Sequence, residues 1–285
     1  MTQKRILIDA AELEAGLGEP GWVAVDCRFD LGDPQAGRAA YLEEHIPGAI
    51  YLDLDRDLAG PVLRNSGRHP LPDAETFART LGNAGIGNET HVVVYDGGNG
   101  AVAARAWWLL HWLGHDRVRL LNGGLACWKS RGLALESGSS QRTPVAFQGN
   151  PRPELVVSSE ELAADVGAIP GLNLLDARDS ARFRGEIEPL DPVAGHIPGA
   201  KSVPFADFVA ADGTWLSLEK RAQLLLEALD GRREADWCVM CGSGVTACHL
   251  AISGLEAGLP EPRVYIGSWS EWIRDAGRPI ARETG

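Results

Sequence analysis

The chain has 285 residues, 45% of them apolar and 23% charged, with a formal net charge of -12. Such a composition belongs to a globular protein of about two domains, long enough to bury a core without disulfide staples. The acidic balance argues against nucleic acid and anionic membrane surfaces as general partners, and no apolar run approaches the ~18 residues that a membrane helix needs.

Residues 1–20 carry acids early and have no apolar run, so neither a secretory signal nor a transit peptide is expected. The first apolar run, Val23-Ala24-Val25, ends in Asp26-Cys27-Arg28, and His45-Ile46-Pro47-Gly48-Ala49 follows it. Residues 92–95 read as a buried strand that turns sharply into Asp96-Gly97-Gly98. Residues 101–113, rich in Ala and Leu, suit a helix. Residues 118–121 read as a further strand, leading to Asn122-Gly123-Gly124 and Trp128. A small, polar stretch over 137–144, with Pro151 and Pro153 beyond it, reads as a linker.

The same landmarks then return in the same order about 150 residues on, which marks a duplicated domain. Leu172-Asn173-Leu174-Leu175 ends in Asp176-Ala177-Arg178, and His196-Ile197-Pro198-Gly199-Ala200 follows. Residues 237–240 form the second buried strand and turn into Cys241-Gly242-Ser243. A helix is expected over 245–257 and a strand over 263–266, closing on Gly267-Ser268 and Trp272. Strands alternating with helices predict an α/β fold in which each copy is a mostly parallel sheet flanked by helices. The expected division is a first domain over 1–136, a linker over 137–153 and a second domain over 154–285. Open sheets of this kind place ligands at the carboxyl ends of their strands, which directs attention to the loops after Tyr95 and Met240.

The second of these loops reads Cys241-Gly242-Ser243-Gly244-Val245-Thr246-Ala247. Its glycines allow a tight turn with the amides facing inward, a nest for an anion at a helix N-terminus. A cysteine in that field is expected to have a depressed pKa and to be a nucleophilic thiolate. The other cysteines, Cys27, Cys127, Cys238 and Cys248, read as small buried hydrophobes. Cys238 lies inside the strand and Cys241 at its end, so the pair does not match a redox CxxC. Cys238, Cys241, Cys248 and His249 lack a second ligand knuckle, so no metal is expected. Five cysteines with irregular spacing suit a reducing cytoplasm.

These residues resemble the tandem-domain rhodaneses, the thiosulfate and 3-mercaptopyruvate sulfurtransferases. The resemblance spans nearly the whole chain. It rests on both His-Ile-Pro-Gly-Ala motifs, Asp176-Ala177-Arg178, Arg182-Phe183-Arg184-Gly185, the Gly267-Ser268…Trp272 tail and above all the Cys241 loop, which is similar to the mercaptopyruvate type. Thiosulfate-type members usually carry Arg and Lys where Gly242 and Ser243 stand. The resemblance implies that Cys241 takes a sulfane sulfur from a small anionic donor. It then passes the sulfur to cyanide, a small thiol or a protein thiol such as that of thioredoxin, without a cofactor. Cys241 and Ser243 are the implied catalytic residues. Arg182, Gly242, Gly244, Val245 and Thr246 form the donor site, and His45, oriented by Asp33, is the proton relay that acts with Ser243. Mercaptopyruvate-type members often have a second arginine near position 190, where this chain has Leu190. The first copy has Asp96 at the cysteine position and should be silent.

Two other classes share features with this loop. A Cys-dependent phosphatase needs an arginine closing the loop, where Ala247 stands. A sulfur-carrier or regulatory module would not require an activated thiol. Between donors, a loop without fixed cations favours 3-mercaptopyruvate, with thiosulfate as the rival.

Overall fold

A computed structural model describes residues 5–165 and 173–283. Leu172, at the head of the second apolar run, lies outside the described residues. The first half runs β1 (Leu7–Ile8), α1 (Ala10–Leu17), β2 (Trp22–Asp26), α2 (Ala36–Glu43), β3 (Ile50–Tyr51), α3 (Ala74–Asn83), β4 (His91–Tyr95), α4 (Ala101–Trp112), β5 (Val118–Leu121) and α5 (Gly124–Ser130). The second runs α6 (Ser159–Asp165), β6 (Leu174–Asp176), α7 (Ser180–Arg184), β7 (Lys201–Ser202), α8 (Leu218–Ala228), β8 (Cys238–Met240), α9 (Ala247–Glu256), β9 (Arg263–Val264) and α10 (Ser268–Trp272). The strand orders are β1-β5-β4-β2-β3 and β7-β6-β8-β9. Every pairing within them is parallel, giving the two mostly parallel sheets that the alternating pattern leads one to expect.

Central strands β4, from Val92 onward, and β8 are apolar runs because helices cover both faces of each sheet. Helix starts follow side-chain chemistry. Asp9, Asp73, Asp179 and Ser217 each cap a helix by accepting an N–H from its first turn. Helix α4 is apolar around most of its circumference, with ten residues from Ala103 to Trp112 buried. It lies between its own sheet and α9 of the other half, so it has no solvent face. The largest apolar cluster therefore contains Trp107 and Trp108 together with Leu225, Leu250 and Ile252 and passes through both halves.

Polar clasps fix the same interface. Glu256 of α9 accepts the Ile6 and Leu7 amides at 2.7 and 2.9 Å and pairs with Arg221 at 2.7 Å. His111 of α4 meets Glu261 at 2.7 Å. The carboxyl ends of β4 and β8, each followed by a loop, are held in fixed relation by these contacts.

Candidate active site

Cys241 follows β8 directly and is 2% exposed. The tail after β9 fastens its backbone. The Cys241 amide donates to Ser268 Oγ at 3.1 Å, its carbonyl accepts from Trp269 N at 3.0 Å, and the Gly242 carbonyl accepts from Ser270 N at 2.9 Å. Gly244 has φ 74°, and a Cβ there would lie 2.3 Å from the Ile266 carbonyl oxygen, so only glycine fits. Helix α9 starts at Ala247, two residues later than the sequence pattern suggested, because residues 242–246 are used in the turn. Among the described residues, the amides of 242–247 donate to no protein oxygen. They are available to an anion at the cysteine.

The first half shows what such a loop holds. Asp96 turns its carboxylate into its own loop, where Oδ1 accepts from the Gly98 and Gly100 amides and Oδ2 from those of Val102 and Ala103, at 3.0 to 3.2 Å. An internal carboxylate thus fills the ring of amides in that copy.

The remaining cysteines are placed as hydrophobes. Cys238 and Met240 pack in one cluster, Val239 and Cys241 in another, so Cys238 and Cys241 face opposite sides of the sheet. Burial pushes the Cys248 thiol up to about 12 against the opposing charge of Arg105, and burial holds Cys27 well above its ordinary value. None of the five cysteines forms a disulfide.

Ser243 carries a hydrogen-bond chain that comes from the other half. Its Oγ lies 2.8 Å from His69 Nδ1, and His69 Nε2 lies 3.1 Å from Asp55 Oδ1. Burial, together with the charges of Arg105 and Arg68, pushes His69 down to about 3, so the ring is neutral. A neutral ring that donates from Nε2 to Asp55 accepts the Ser243 proton at Nδ1. Arg105 of α4 secures the arrangement. Fully buried, it donates to the carbonyls of Leu58, His69 and Pro70 in its own half and to that of Gly244 in the loop after Cys241, at 3.1 to 3.3 Å. One guanidinium thus ties the His69 segment to the Cys241 turn.

The relay expected from His45 and Asp33 is corrected by this geometry. His45 Nδ1 is 2.8 Å from the Tyr41 carbonyl, and its backbone pairs in both directions with Glu136. His196 does the same work in the other half, with Nδ1 at 2.8 Å from the Phe183 carbonyl and its backbone paired with Ala281. Two motif histidines with matching local bonds are turn residues that hold a strand entry. Asp33 accepts the Gln35 amide and does not orient His45.

Arg182 faces the loop but is heavily engaged. Its Nε and Nη2 grip Glu188 at 2.7 to 3.2 Å, and Nη2 also reaches Asp191 at 3.3 Å. Arg68, from the segment before His69, forms an ion pair with the same Asp191. A Cβ on Gly242 would lie 3.0 Å from Arg68 Nη2 and 3.5 Å from Arg182 Nη1, so two guanidinia converge where thiosulfate-type loops carry a side chain. With Asp176–Arg178 and the Arg178–Glu188 contact, three arginines and three carboxylates form one charge-balanced chain beside Cys241. Arg68, His69, Asp55 and Arg105 all escaped the sequence reading. They occur in one copy only and act on the other, so no repeated landmark marks them.

A rhodanese-like domain model matches residues 9–131 and 158–275. The chain is 52% identical over 277 residues to a probable 3-mercaptopyruvate sulfurtransferase of Pseudomonas aeruginosa, covering 96% of this chain and 97% of that one. It is 41% identical to the putative thiosulfate sulfurtransferase SseB of Mycobacterium tuberculosis, covering 98% of each. Among solved structures, the 3-mercaptopyruvate sulfotransferase SseA of Escherichia coli superposes with a TM-score of 0.81 at 32% identity, covering 94% of this chain and 100% of that one.

Proposed function

The chain belongs to the rhodanese family, and on that premise we propose that it is a sulfurtransferase that moves the sulfur of 3-mercaptopyruvate to a thiophilic acceptor through a persulfide on Cys241. The observation that carries this reading is the meeting of Cys241, its open ring of amides and the Ser243–His69–Asp55 chain. The Cys241 thiolate attacks the donor sulfur, the sulfur–carbon bond breaks, and its electron pair passes to an enolate of pyruvate. The donor thiol proton goes through Ser243 and His69 to the enolate carbon. Thiolate and mercaptopyruvate thereby become a persulfide anion and pyruvate, with charge unchanged. The loop amides stabilise the outer sulfur, as an oxyanion hole stabilises oxygen. Attack on that sulfur by cyanide, a small thiol or a protein thiol then restores Cys241.

Donor choice follows from charge. The guanidinium chain beside the loop is balanced by Asp176, Glu188 and Asp191, so it offers directed N–H groups rather than a net positive field. A monocarboxylate suits that site better than the compact dianion thiosulfate. The developing enolate also gives Ser243 a task in one reaction and not in the other. Among the described residues no helix is long and apolar enough to cross a membrane, and a cytoplasmic setting is part of this proposal, supported by five cysteines without a disulfide. The domain division at 137–153 is likewise proposed, supported by a stretch from Gly138 to Arg152 that has no helix or strand. The test is parallel steady-state kinetics with both donors and cyanide as acceptor. A higher kcat/KM for mercaptopyruvate is expected, and a higher value for thiosulfate would overturn the donor assignment.

A further inference from the structure

The arginines taken out of solvent in this fold meet carboxylates. Arg178 pairs with Asp176 and Glu188, Arg221 with Glu256, and Arg28 with Asp26. Arg105 is the exception. It is 0% exposed, and among the described residues its hydrogen bonds go only to the carbonyls of Leu58, His69, Pro70 and Gly244. Carbonyls satisfy the N–H groups but leave the positive charge without a counter-ion, and a buried charge of that kind is costly. A guanidinium does not escape by giving up its proton. Burial pushes Arg105 down from its ordinary value, and the groups that oppose this are the thiols of Cys248 and Cys241. Cys248 is held up to about 12 and stays neutral. Its thiol and Arg105 Nη1 both donate to the Gly244 carbonyl, at 3.4 and 3.1 Å, in the turn that follows Cys241. The other cations near that turn, Arg68 and Arg182, are already balanced by Asp191 and Glu188, and Asp55 faces His69.

We infer that the counter-ion of Arg105 is the anion on Cys241, a thiolate before sulfur transfer and a persulfide after it, so that the first half supplies the fixed positive charge that keeps the sulfur of the second half ionised. This inference rests on the reading of Cys241 as the sulfur-carrying nucleophile. The same charge acts on His69 in the opposite sense: Arg105 donates to the His69 carbonyl at 3.2 Å, and its charge disfavours the imidazolium. One buried cation therefore selects an anionic sulfur together with a neutral imidazole, in place of the thiolate–imidazolium pair that activates many cysteine nucleophiles. Arg105 is thus a positioning residue whose charge, and not only its hydrogen bonds, serves the Cys241 turn.

The experiment follows alkylation of Cys241 by iodoacetamide between about pH 5 and pH 10, read by peptide mass, in wild-type protein, Arg105→Lys and Arg105→Met. Both variants lose carbonyl contacts, and only one loses the charge. Arg105→Met should move the rise in alkylation to higher pH by about one unit or more, a tenfold change in the thiol equilibrium. Arg105→Lys should keep a profile close to wild type while being less stable, since it has fewer donors. A methionine profile that coincides with wild type would overturn the inference. So would a shift shared equally by lysine, because the arginine would then act through its hydrogen bonds alone. A second measurement leaves Arg105 in place. Cys241→Ser strips the cation of its counter-ion, so it should shift the unfolding equilibrium toward the unfolded state roughly tenfold at pH 8, and by clearly less in an Arg105→Met background. Cys241→Ser protein as stable as wild type would overturn the inference without any change at Arg105. Neither measurement uses a sulfur donor, so wild-type Cys241 that gains no sulfur from mercaptopyruvate would remove the functional reading by a separate result.

Discussion

His69 Nδ1 lies 2.8 Å from Ser243 Oγ across the boundary between the two halves, 174 positions apart in the chain. The Ser243 hydroxyl, two residues after Cys241, is thus hydrogen-bonded to an imidazole from the copy that has Asp96 at the corresponding position. His69→Gln and Ser243→Ala should each lower kcat with mercaptopyruvate by about a hundredfold, in the range of acid–base assistance. Turnover with thiosulfate should fall much less, since no enolate forms. Steady-state kinetics with the two donors check this, and equal losses would assign the chain a structural task.

His45→Gln should behave differently. Its ring holds the Tyr41 carbonyl and stacks on Tyr41 with centroids 4.3 Å apart. The variant should lose about 1 kcal/mol of stability, an ordinary buried hydrogen bond, with kcat/KM for both donors unchanged. Chemical denaturation paired with kinetics separates the two effects.

The pH profile follows from the sign of the His69 shift. Burial and the Arg105 and Arg68 charges move it from the ordinary 6.5 down to about 3, so it is neutral throughout the physiological range. Activity with mercaptopyruvate should therefore show no falling limb from imidazole protonation between about pH 8 and pH 5. Stability should fall with acidification, because the unfolded imidazole binds a proton below 6.5 and the folded one does not until about 3. His69→Gln should flatten that part of the stability curve relative to wild type. A wild-type activity inflection near 6.5 that disappears in His69→Gln would contradict this account.

Asp96→Ala should leave turnover nearly intact while removing an anion that accepts four amides. A loss of about 2 kcal/mol in unfolding free energy is expected for such a charged acceptor. Loss of activity in a folded variant would show that the two halves had been assigned the wrong way round.

The fold was legible because duplicated apolar runs, Asp-x-Arg turns and His-Ile-Pro-Gly-Ala segments repeat in register, and parallel sheets demand continuous apolar strands such as 92–95. The Cys241 loop was legible because its glycines and thiol stand together in the chain. The relay was not, because Asp55 and His69 lie in an irregular segment before α3, and the corresponding segment between β7 and α8 repeats neither residue. Their role exists only once α4 packs on α9 and Arg105 reaches the Gly244 carbonyl at 3.1 Å. His45 drew attention for the opposite reason. It belongs to a repeated motif, and the repetition marks a turn common to both copies rather than chemistry found in one.

The central claim is that Cys241 carries the sulfur, and mass spectrometry of the protein after one equivalent of 3-mercaptopyruvate in the absence of acceptor tests it most directly. The account predicts a gain of one sulfur atom on the peptide bearing Cys241, one pyruvate released per chain, and return to the original mass with thiocyanate formation when cyanide is added. Cys241→Ser should show none of these, whereas Cys238→Ala and Cys248→Ala should show all of them. Pyruvate released without added sulfur at Cys241, or sulfur found on Cys238 or Cys248 instead, would contradict it.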